Sequence, residues 1–196
     1  EMYLSDKITD GISIESKAII DDIYDLVPAI KPQAAYYEML GWRGVKVLEE
    51  TIKYAQEKGM FVMTDGKRND IGATMTAYAT AHLGSTAVGG NMIEAFGADA
   101  LTVNGYLGTD GIAPLLEVCE KKDKGIFVLV KTSNKSSGEL QDQKIDGTPV
   151  YGVMGDMCEK WGSEKVGEYG YSSVGAVVGA GLGAATVPQI GQVPFA

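Results

Sequence analysis

The sequence predicts an α/β fold in which parallel strands and helices alternate, as in a (β/α)8 TIM barrel. Apolar runs rich in β-branched residues recur between helical stretches, which indicates a parallel sheet with crossover helices. Polar residues also cluster directly after these runs, at Lys31, Asp65, Asn104 and Lys131. Barrel enzymes bind their substrates at the carboxyl ends of the strands, and a doubly wound open sheet binds ligands at the same edge.

The helices are predicted from apolar residues at helical spacing and from residues that start or stop helices. In the first, at residues 13–27, Ser13 is placed to cap the amino end. In the second, at residues 44–59, Gly59 marks the stop. Further helical stretches are predicted at residues 73–84, 90–97, 111–123 and 150–162.

Five strands are predicted, and each is a short apolar run. They are "PAIK", "MFVMTD", "ADALTVNG", "GIFVLVKTS" and "SVGAVVGA". An eight-stranded barrel takes about 250 residues. With 196 residues and five predicted strands, this chain is shorter than a complete barrel. The opening "EMYLSDKITDG" holds no run fit for a strand, and residues 169–196 carry no charge. We therefore expect a single barrel domain over residues 1–196 that is incomplete at both ends, with residues 181–196 unassigned.

The composition restricts the partners that the protein can have. A chain of 196 residues is long enough for one domain with a substantial core. Its net charge of -9 argues against nucleic acid and against an anionic membrane surface, since both require clustered basic residues. Cys119 and Cys158 are too few for a disulfide framework. We see no secretion signal at the start, and we expect a cytoplasmic protein.

The single histidine, His82, restricts the chemistry. Multi-histidine zinc sites are excluded within one chain, and a Ser–His nucleophile would depend on this one residue. Its place on a predicted helix favours a packed or surface role. No Gly-x-Gly-x-x-Gly joins a predicted strand to a helix, so a dinucleotide cofactor has no support. Acid–base chemistry would fall to lysines and carboxylates.

The stretch "FVMTDGKRNDIGAT" places an Asp-x-Lys-x-x-Asp motif at the end of a strand. Asp65 and Lys67 are two residues apart, so both side chains are expected on the same face. Asp70 precedes a helix, where an N-cap is its simplest role. Solvated loop charges would explain the motif alone. Lys31 also ends a strand, however, and is expected to reach the same pocket.

Several longer motifs carry a resemblance to a known family. "KPQAAYYEMLG", "DGKRNDIGATMTAYA", "LTVNGYLG", "VKTSNKSS" and "GYSSVGAVVGA" occur in that family's order, from roughly Ile19 to Ala180. They resemble orotidine 5'-phosphate decarboxylases, in the branch with the Lys-Pro-Gln motif. The resemblance implies a dimeric (β/α)8 barrel that makes UMP from orotidine 5'-phosphate without a metal or an organic cofactor.

The resemblance also implies a catalytic Lys-Asp-Lys-Asp array at Lys31, Asp65, Lys67 and Asp70. Lys67 would donate the proton to C6 of the pyrimidine, and Asp65 would lie near the departing carboxylate. Lys31 would hold Asp65 and the ribose hydroxyls.

Three further positions are implied to bind substrate. Asp70, with Ile71 and Thr74, would reach into the site of the partner subunit in a homodimer. Ser133 would contact the edge of the pyrimidine.

The sequence departs from the family pattern at several places. Nothing before Ser13 matches the family's early strand, which ends in a ribose-binding aspartate. No arginine follows Arg68 to grip the phosphate, and Gln189 and Gln192 lie in a setting only loosely similar to the family's phosphate loop. Gly105 stands where proline is expected. We expect a partial record of a longer chain rather than a protein that has lost its phosphate site.

Two alternatives stay open. One is a magnesium-dependent sugar-phosphate decarboxylase or hexulose-phosphate synthase, which shares Asp-x-Lys-x-x-Asp but usually has a further acidic ligand before it. Met63 and Thr64 occupy that region here, which counts against this alternative. The other is a non-catalytic barrel fragment, which the missing phosphate grip favours and the intact array disfavours.

Overall fold

The computed structural model of the protein describes residues 2–179. The expectations for residues 181–196, including Gln189 and Gln192, lie outside the described residues. The chain groups into two compact units. Within the described residues, the first consists of residues 2–66 and 77–101, and the second of residues 67–76 and 102–179. The single barrel domain over the whole chain stays a prediction.

The first unit combines helices with parallel strands and one hairpin. Its elements in chain order are α1 (Met2–Ile23), β1 (Ala29–Ile30), α2 (Ala34–Glu38), α3 (Gly41–Glu57), most of β2 (Phe61–Arg68), the second half of α4 (Gly72–His82), β3 (Thr86–Val88), β4 (Asn91–Ile93) and the start of β5 (Ala100–Val103). β1 pairs in parallel with β2, with Ala29 opposite Phe61 and Ile30 opposite Val62. β5 lies on the other side of β2.

Helix α3 supplies much of the core of this unit. Leu48, Ile52 and Ala55 recur at helical spacing and are buried, so the helix turns one apolar stripe inward. They form one hydrophobic cluster with Ile20 of α1 and Val62 of β2. Each large side chain buried in this way contributes about 1.5–3 kcal/mol to folding. The cluster anchors β2 through Val62.

The second unit contains the remaining parallel strands. It starts with the end of β2 and the first half of α4, and continues with the rest of β5, a 3-10 turn (Gly108–Gly111), α5 (Ala113–Lys122), β6 (Gly125–Lys131), a 3-10 turn (Ser137–Glu139), β7 (Lys144–Ile145), β8 (Thr148–Pro149), α6 (Val150–Gly162) and β9 (Val174–Val178). The strand order is β5-β6-β9. β6 and β9 are parallel, with Val128 opposite Ala176.

The five predicted strands are confirmed as β1, β2, β5, β6 and β9. The helices predicted at residues 44–59, 73–84, 111–123 and 150–162 are confirmed as α3, α4, α5 and α6. Gly59 has a φ of 82° just after α3, as a helix stop requires. Within residues 2–179, no helix has the length and the apolar character needed to cross a lipid bilayer.

Two predicted helices require correction. The first does not begin at Ser13, because α1 already begins at Met2 and packs against α3. Ser13 therefore lies within the helix, where its hydroxyl donates to Glu50 at 3.4 Å. Tertiary packing has extended the helix beyond the local capping signal.

The second error concerns residues 90–97, which were predicted as helical and instead contain β4. β3 and β4 form an antiparallel hairpin in which Val88 lies opposite Asn91. Gly89 and Gly90 form its two-residue turn with φ values of 57° and 83°. Positive φ at both central residues is the geometry that fits the twist of a hairpin, and a Gly-Gly pair adopts it without strain.

Candidate active site

Lys31 and Asp65 meet at the carboxyl ends of two neighbouring strands. Lys31 follows β1 directly, Asp65 lies in β2, and Lys31 Nζ is 2.6 Å from Asp65 Oδ2. The carboxylate is buried, at 5% exposure, whereas the lysine side chain is half exposed. A buried carboxylate needs a charged partner or strong donors, and the ammonium supplies one. The predicted proximity of these two residues is confirmed.

Gln33 is a second donor to the same carboxylate. Its Nε2 donates to Asp65 Oδ2 at 3.0 Å, and the two residues form a parallel β-bridge. The backbone N–H of Asp65 donates to the carbonyl of Pro32 at 2.9 Å. Gln33 also accepts the N–H of Ala35 and so caps α2. The Lys-Pro-Gln segment therefore fixes the carboxylate from the side of β1.

The sequence motif that contains Gln33 does not by itself predict a role for this residue. The signal was present, because Gln33 lies two residues after Lys31. In an extended segment that spacing puts both side chains on one face. Two donors two residues apart can therefore reach one carboxylate on the neighbouring strand.

Lys67 lies near the end of β2 in a left-handed backbone conformation, with a φ of 47°. Its backbone N–H donates to the buried hydroxyl of Thr102 at 3.0 Å. Such a conformation costs a residue with a side chain about 1–3 kcal/mol and occurs preferentially at functional sites. It also departs from the extended geometry on which strict alternation depends. The expectation that Lys67 and Asp65 share a face therefore stays a prediction.

Asp70, Ile71 and Thr74 lie at the start of α4. Asp70 Oδ1 accepts the N–H of Ile71 at 2.8 Å, a local contact just ahead of the helix. Ile71 is 53% exposed, and Thr74 is also exposed. The placement leaves both side chains accessible at one helix end.

Ser133 is exposed in the segment that follows β6. Lys131, at the end of β6, is instead buried at 4% exposure and forms an ion pair with Asp142 at 2.6 Å. Lys131 and Ser133 lie at the carboxyl end of β6, where polar residues were expected. The burial of Lys131 was not foreseen.

The one histidine and the two cysteines are packed in the interior. His82 is 3% exposed and stacks on Phe96 with ring centroids 4.8 Å apart, which confirms its packed role. Burial raises the pKa of Cys119 and of Cys158 to about 12. A thiol reacts as its thiolate, so neither cysteine is an effective nucleophile at neutral pH.

A family model matches residues 12–190 of the chain, and its description is the orotidine 5'-phosphate decarboxylase / HUMPS family. Curated relatives agree. The protein named orotidine 5'-phosphate decarboxylase from Rhodopirellula baltica is 49% identical over 162 residues, which are 83% of this chain and 53% of that protein. The one from Caldicellulosiruptor saccharolyticus is 45% identical over 165 residues, 84% of this chain and 54% of that protein. The chain thus spans about half the length of these relatives.

Solved structures show the same likeness. OMP decarboxylase of Leishmania donovani superposes with a TM-score of 0.77 at 31% identity, covering 93% of this chain and 64% of that one. UMP synthase of the same organism gives a TM-score of 0.73 at 32% identity, covering 88% of this chain and 34% of that one.

These likenesses confirm the predicted fold class, an α/β barrel of the (β/α)8 type. The match covers most of the chain, both in the family model and in relatives well above 30% identity. The chain belongs to the orotidine 5'-phosphate decarboxylase / HUMPS family.

Proposed function

We propose that the protein decarboxylates orotidine 5'-phosphate to UMP in pyrimidine synthesis, without a metal or an organic cofactor. The observation that carries the proposal is the contact of Lys31 with the buried carboxylate of Asp65. It lies in a family member whose curated relatives are named orotidine 5'-phosphate decarboxylases. Half of the predicted array is thus already in close contact.

The chemistry explains why the site would use a lysine. Loss of CO2 breaks the bond between C6 and its carboxyl group and leaves the electron pair on C6, where no adjacent electron sink exists. A fixed ammonium at Lys67 would stabilise this charge more in the transition state than in the ground state. The same group would then transfer a proton to C6 and recover one from water. Arginine holds its proton too tightly for that step.

The neighbouring carboxylates would favour the charged form of the Lys67 ammonium and fix its direction. A negative neighbour favours the protonated form of a lysine, and Asp65 precedes Lys67 by two residues on β2. Lys31 and Gln33 both donate to Asp65 Oδ2, which would fix the orientation of that carboxylate. We infer that Asp65 lies beside the departing carboxyl group of the substrate.

The site would be completed in a homodimer. We infer that Asp70, Ile71 and Thr74 reach the partner subunit's substrate, and the exposure of Ile71 and Thr74 at the start of α4 supports this. Ser133 would contact the pyrimidine edge from the segment after β6. The buried free thiols of Cys119 and Cys158 favour a reducing compartment, and we infer a cytoplasmic protein.

A second candidate is the magnesium-dependent sugar-phosphate branch, because the matching family model includes the HUMPS proteins. Those enzymes share the Asp-x-Lys-x-x-Asp motif but usually have an acidic metal ligand before it. Met63 and Thr64 lie at that place in β2, and neither carries a carboxylate for a hard cation. This favours the metal-independent reaction.

Formation of UMP from orotidine 5'-phosphate, measured with and without an excess of chelator, tests the proposal. We expect equal rates in both conditions. Activity that chelator removes and magnesium restores would favour the second candidate. Absence of UMP in both conditions would refute decarboxylation of this substrate.

A further inference from the structure

A buried lysine forms an ion pair two residues before Ser133, the predicted pyrimidine contact. Lys131 is the last residue of β6, and its side chain is 5% exposed. Its ammonium contacts Asp142 Oδ1 at 2.6 Å and Ser137 Oγ at 3.4 Å, and it lies 5.5 Å from the ring centroid of Tyr151. A lysine is almost never fully buried unless it is paired. This pair ties the strand end to a segment eleven residues further along.

Two reciprocal hydrogen bonds between Thr132 and Gln141 also join these two segments. The N–H of Thr132 donates to Gln141 Oε1 at 2.9 Å, and Gln141 Nε2 donates back to Thr132 Oγ1 at 2.7 Å. The carbonyl of Gln141 in turn accepts the N–H of Tyr151 in α6 at 3.1 Å. Consecutive residues of the strand end, Lys131 and Thr132, are therefore held by consecutive residues of the loop, Gln141 and Asp142.

Ser133 follows these two anchored residues. A Cβ added to Gly179 would lie 2.8 Å from Ser133 Cβ and 3.1 Å from its backbone nitrogen, so only glycine leaves room for this approach. The N–H of Gly179 also donates to the carbonyl of Lys131 at 2.9 Å. The backbone of Ser133 thus lies close against Gly179, and Ser133 is exposed.

We propose that Lys131 is a positioning residue, whose ammonium, held by Asp142, fixes the loop that presents Ser133 to the pyrimidine. The inference rests on the proposed function, because it requires the contact between Ser133 and the pyrimidine. Lys131 and Asp142 act through Ser133 and do not touch the substrate. The anchoring would serve recognition of the base and would leave the ribose phosphate end of the ligand unaffected.

Binding of two ligands that differ in the base tests this role. Titration calorimetry with UMP and with ribose 5-phosphate compares the wild type with Asp142→Asn. We expect UMP to bind roughly tenfold more weakly, the loss of about one hydrogen bond, while ribose 5-phosphate binds unchanged. Glu120→Gln is the matched control, because Glu120 forms an ion pair with Lys165 at the same 2.6 Å. Equal weakening of both ligands by Asp142→Asn would overturn the proposal.

A double-mutant cycle separates positioning from general structure. If Asp142 acts through Ser133, the variant with both Ser133→Ala and Asp142→Asn binds UMP no more weakly than Ser133→Ala alone. Additive losses would overturn the inference. Gln141→Leu removes the two hydrogen bonds with Thr132 without leaving a buried charge unpaired. This variant should show the same selective loss of UMP binding even if Asp142→Asn folds poorly.

The anchoring itself can be measured without any substrate. Amide hydrogen exchange in residues 132–143 should become faster in Asp142→Asn and remain unchanged in Glu120→Gln. Unchanged exchange in Asp142→Asn would refute the anchoring. If exchange accelerates but the wild type binds UMP no better than ribose 5-phosphate, the proposed function is what fails.

Discussion

Gln33 donates a hydrogen bond from its side-chain amide to Asp65 Oδ2 at 3.0 Å, and the two residues also pair in a parallel β-bridge. The same carboxylate oxygen accepts a hydrogen bond from Lys31. The amide has a neutral donor that cannot be titrated, so its contact persists at any pH at which the carboxylate is ionised. Gln33 is therefore placed to orient Asp65 independently of the charge on Lys31.

Replacing Gln33 by leucine should lower the kcat of decarboxylation by roughly 10- to 100-fold. A hydrogen bond to a charged group contributes about 1.5–3 kcal/mol, and its loss would let the carboxylate turn. Gln56→Leu is the control, because Gln56 Nε2 makes a similar contact with Asp99 at 3.2 Å. Steady-state kinetics should show a normal kcat for the control. A normal kcat for Gln33→Leu would contradict the orienting role.

Lys67→Ala should abolish turnover while leaving the fold and the dimer intact. We expect a loss of at least several powers of ten, each worth about 1.4 kcal/mol of activation barrier. Lys67→Arg should be equally inactive, because it keeps the charge but not a transferable proton. Rates of UMP formation measure the loss, and circular dichroism and sedimentation check the fold and the dimer. Substantial activity in either variant would refute the role of Lys67 as proton donor.

Asp70→Ala should inactivate the site in the partner subunit. A mixture of Asp70→Ala with Lys67→Ala should regain part of the activity, because each hybrid dimer contains one site with neither substitution. The specific activity of the mixture is compared with that of each variant alone after subunit exchange. If mixing restores nothing although hybrids form, the sites are not shared between subunits.

Gly105→Ala should destabilise the protein through Met154. A Cβ at position 105 would lie 2.6 Å from Met154 Sδ and 3.1 Å from Val128 Cγ1, and such overpacking costs about 1–3 kcal/mol. Met154→Ala should relieve the clash, so the double variant should be more stable than the sum of the two single changes predicts. Urea unfolding measures the three free energies. Simple additivity would mean that Met154 does not restrict position 105.

The two buried thiols should make the protein less stable at high pH. Burial raises the pKa of Cys119 and Cys158 from an ordinary 9.0 to about 12. In the unfolded chain the thiols ionise near 9.0, whereas in the folded chain they stay protonated, so stability is present below pH 9.0 and falls between 9.0 and about 12. Urea unfolding across this range should lose part of its pH dependence in the variant with both cysteines changed to alanine. An identical pH dependence would refute the prediction.

A strand or helix could be predicted where its own residues show an apolar run or an apolar spacing typical of that element. The strands β5, β6 and β9 and the start of β2 are largely apolar, and most of their residues are buried or half-buried in a parallel sheet. Such apolar runs can be recognised from the local sequence. The helix predicted at residues 90–97 was wrong because the prediction did not recognise Gly89 and Gly90 as the turn of a hairpin. Helix α1 extends ahead of Ser13 and packs against α3, and a capping signal at Ser13 cannot indicate this tertiary packing.

The part of the site that could be predicted from the sequence is the part formed by residues on neighbouring strands. Lys31 follows β1 and Asp65 lies in β2. Because these strands are parallel neighbours, the two side chains come into contact. The pairing of Lys131 with Asp142 spans an irregular loop, and no periodicity in the sequence indicates where such a loop returns. The orientation of Lys67 depends on one unusual φ value, which its residue type does not suggest.

If Lys67 has the proposed role, its left-handed backbone sets the stability of the fold against activity at this one position. Glycine adopts this conformation freely and asparagine tolerates it better than most residues, yet neither can supply an ammonium proton. In a saturation library at this position, glycine and asparagine should have the highest melting temperatures and lysine the highest turnover. Selection for thermal robustness alone would therefore drive the lysine out of the sequence.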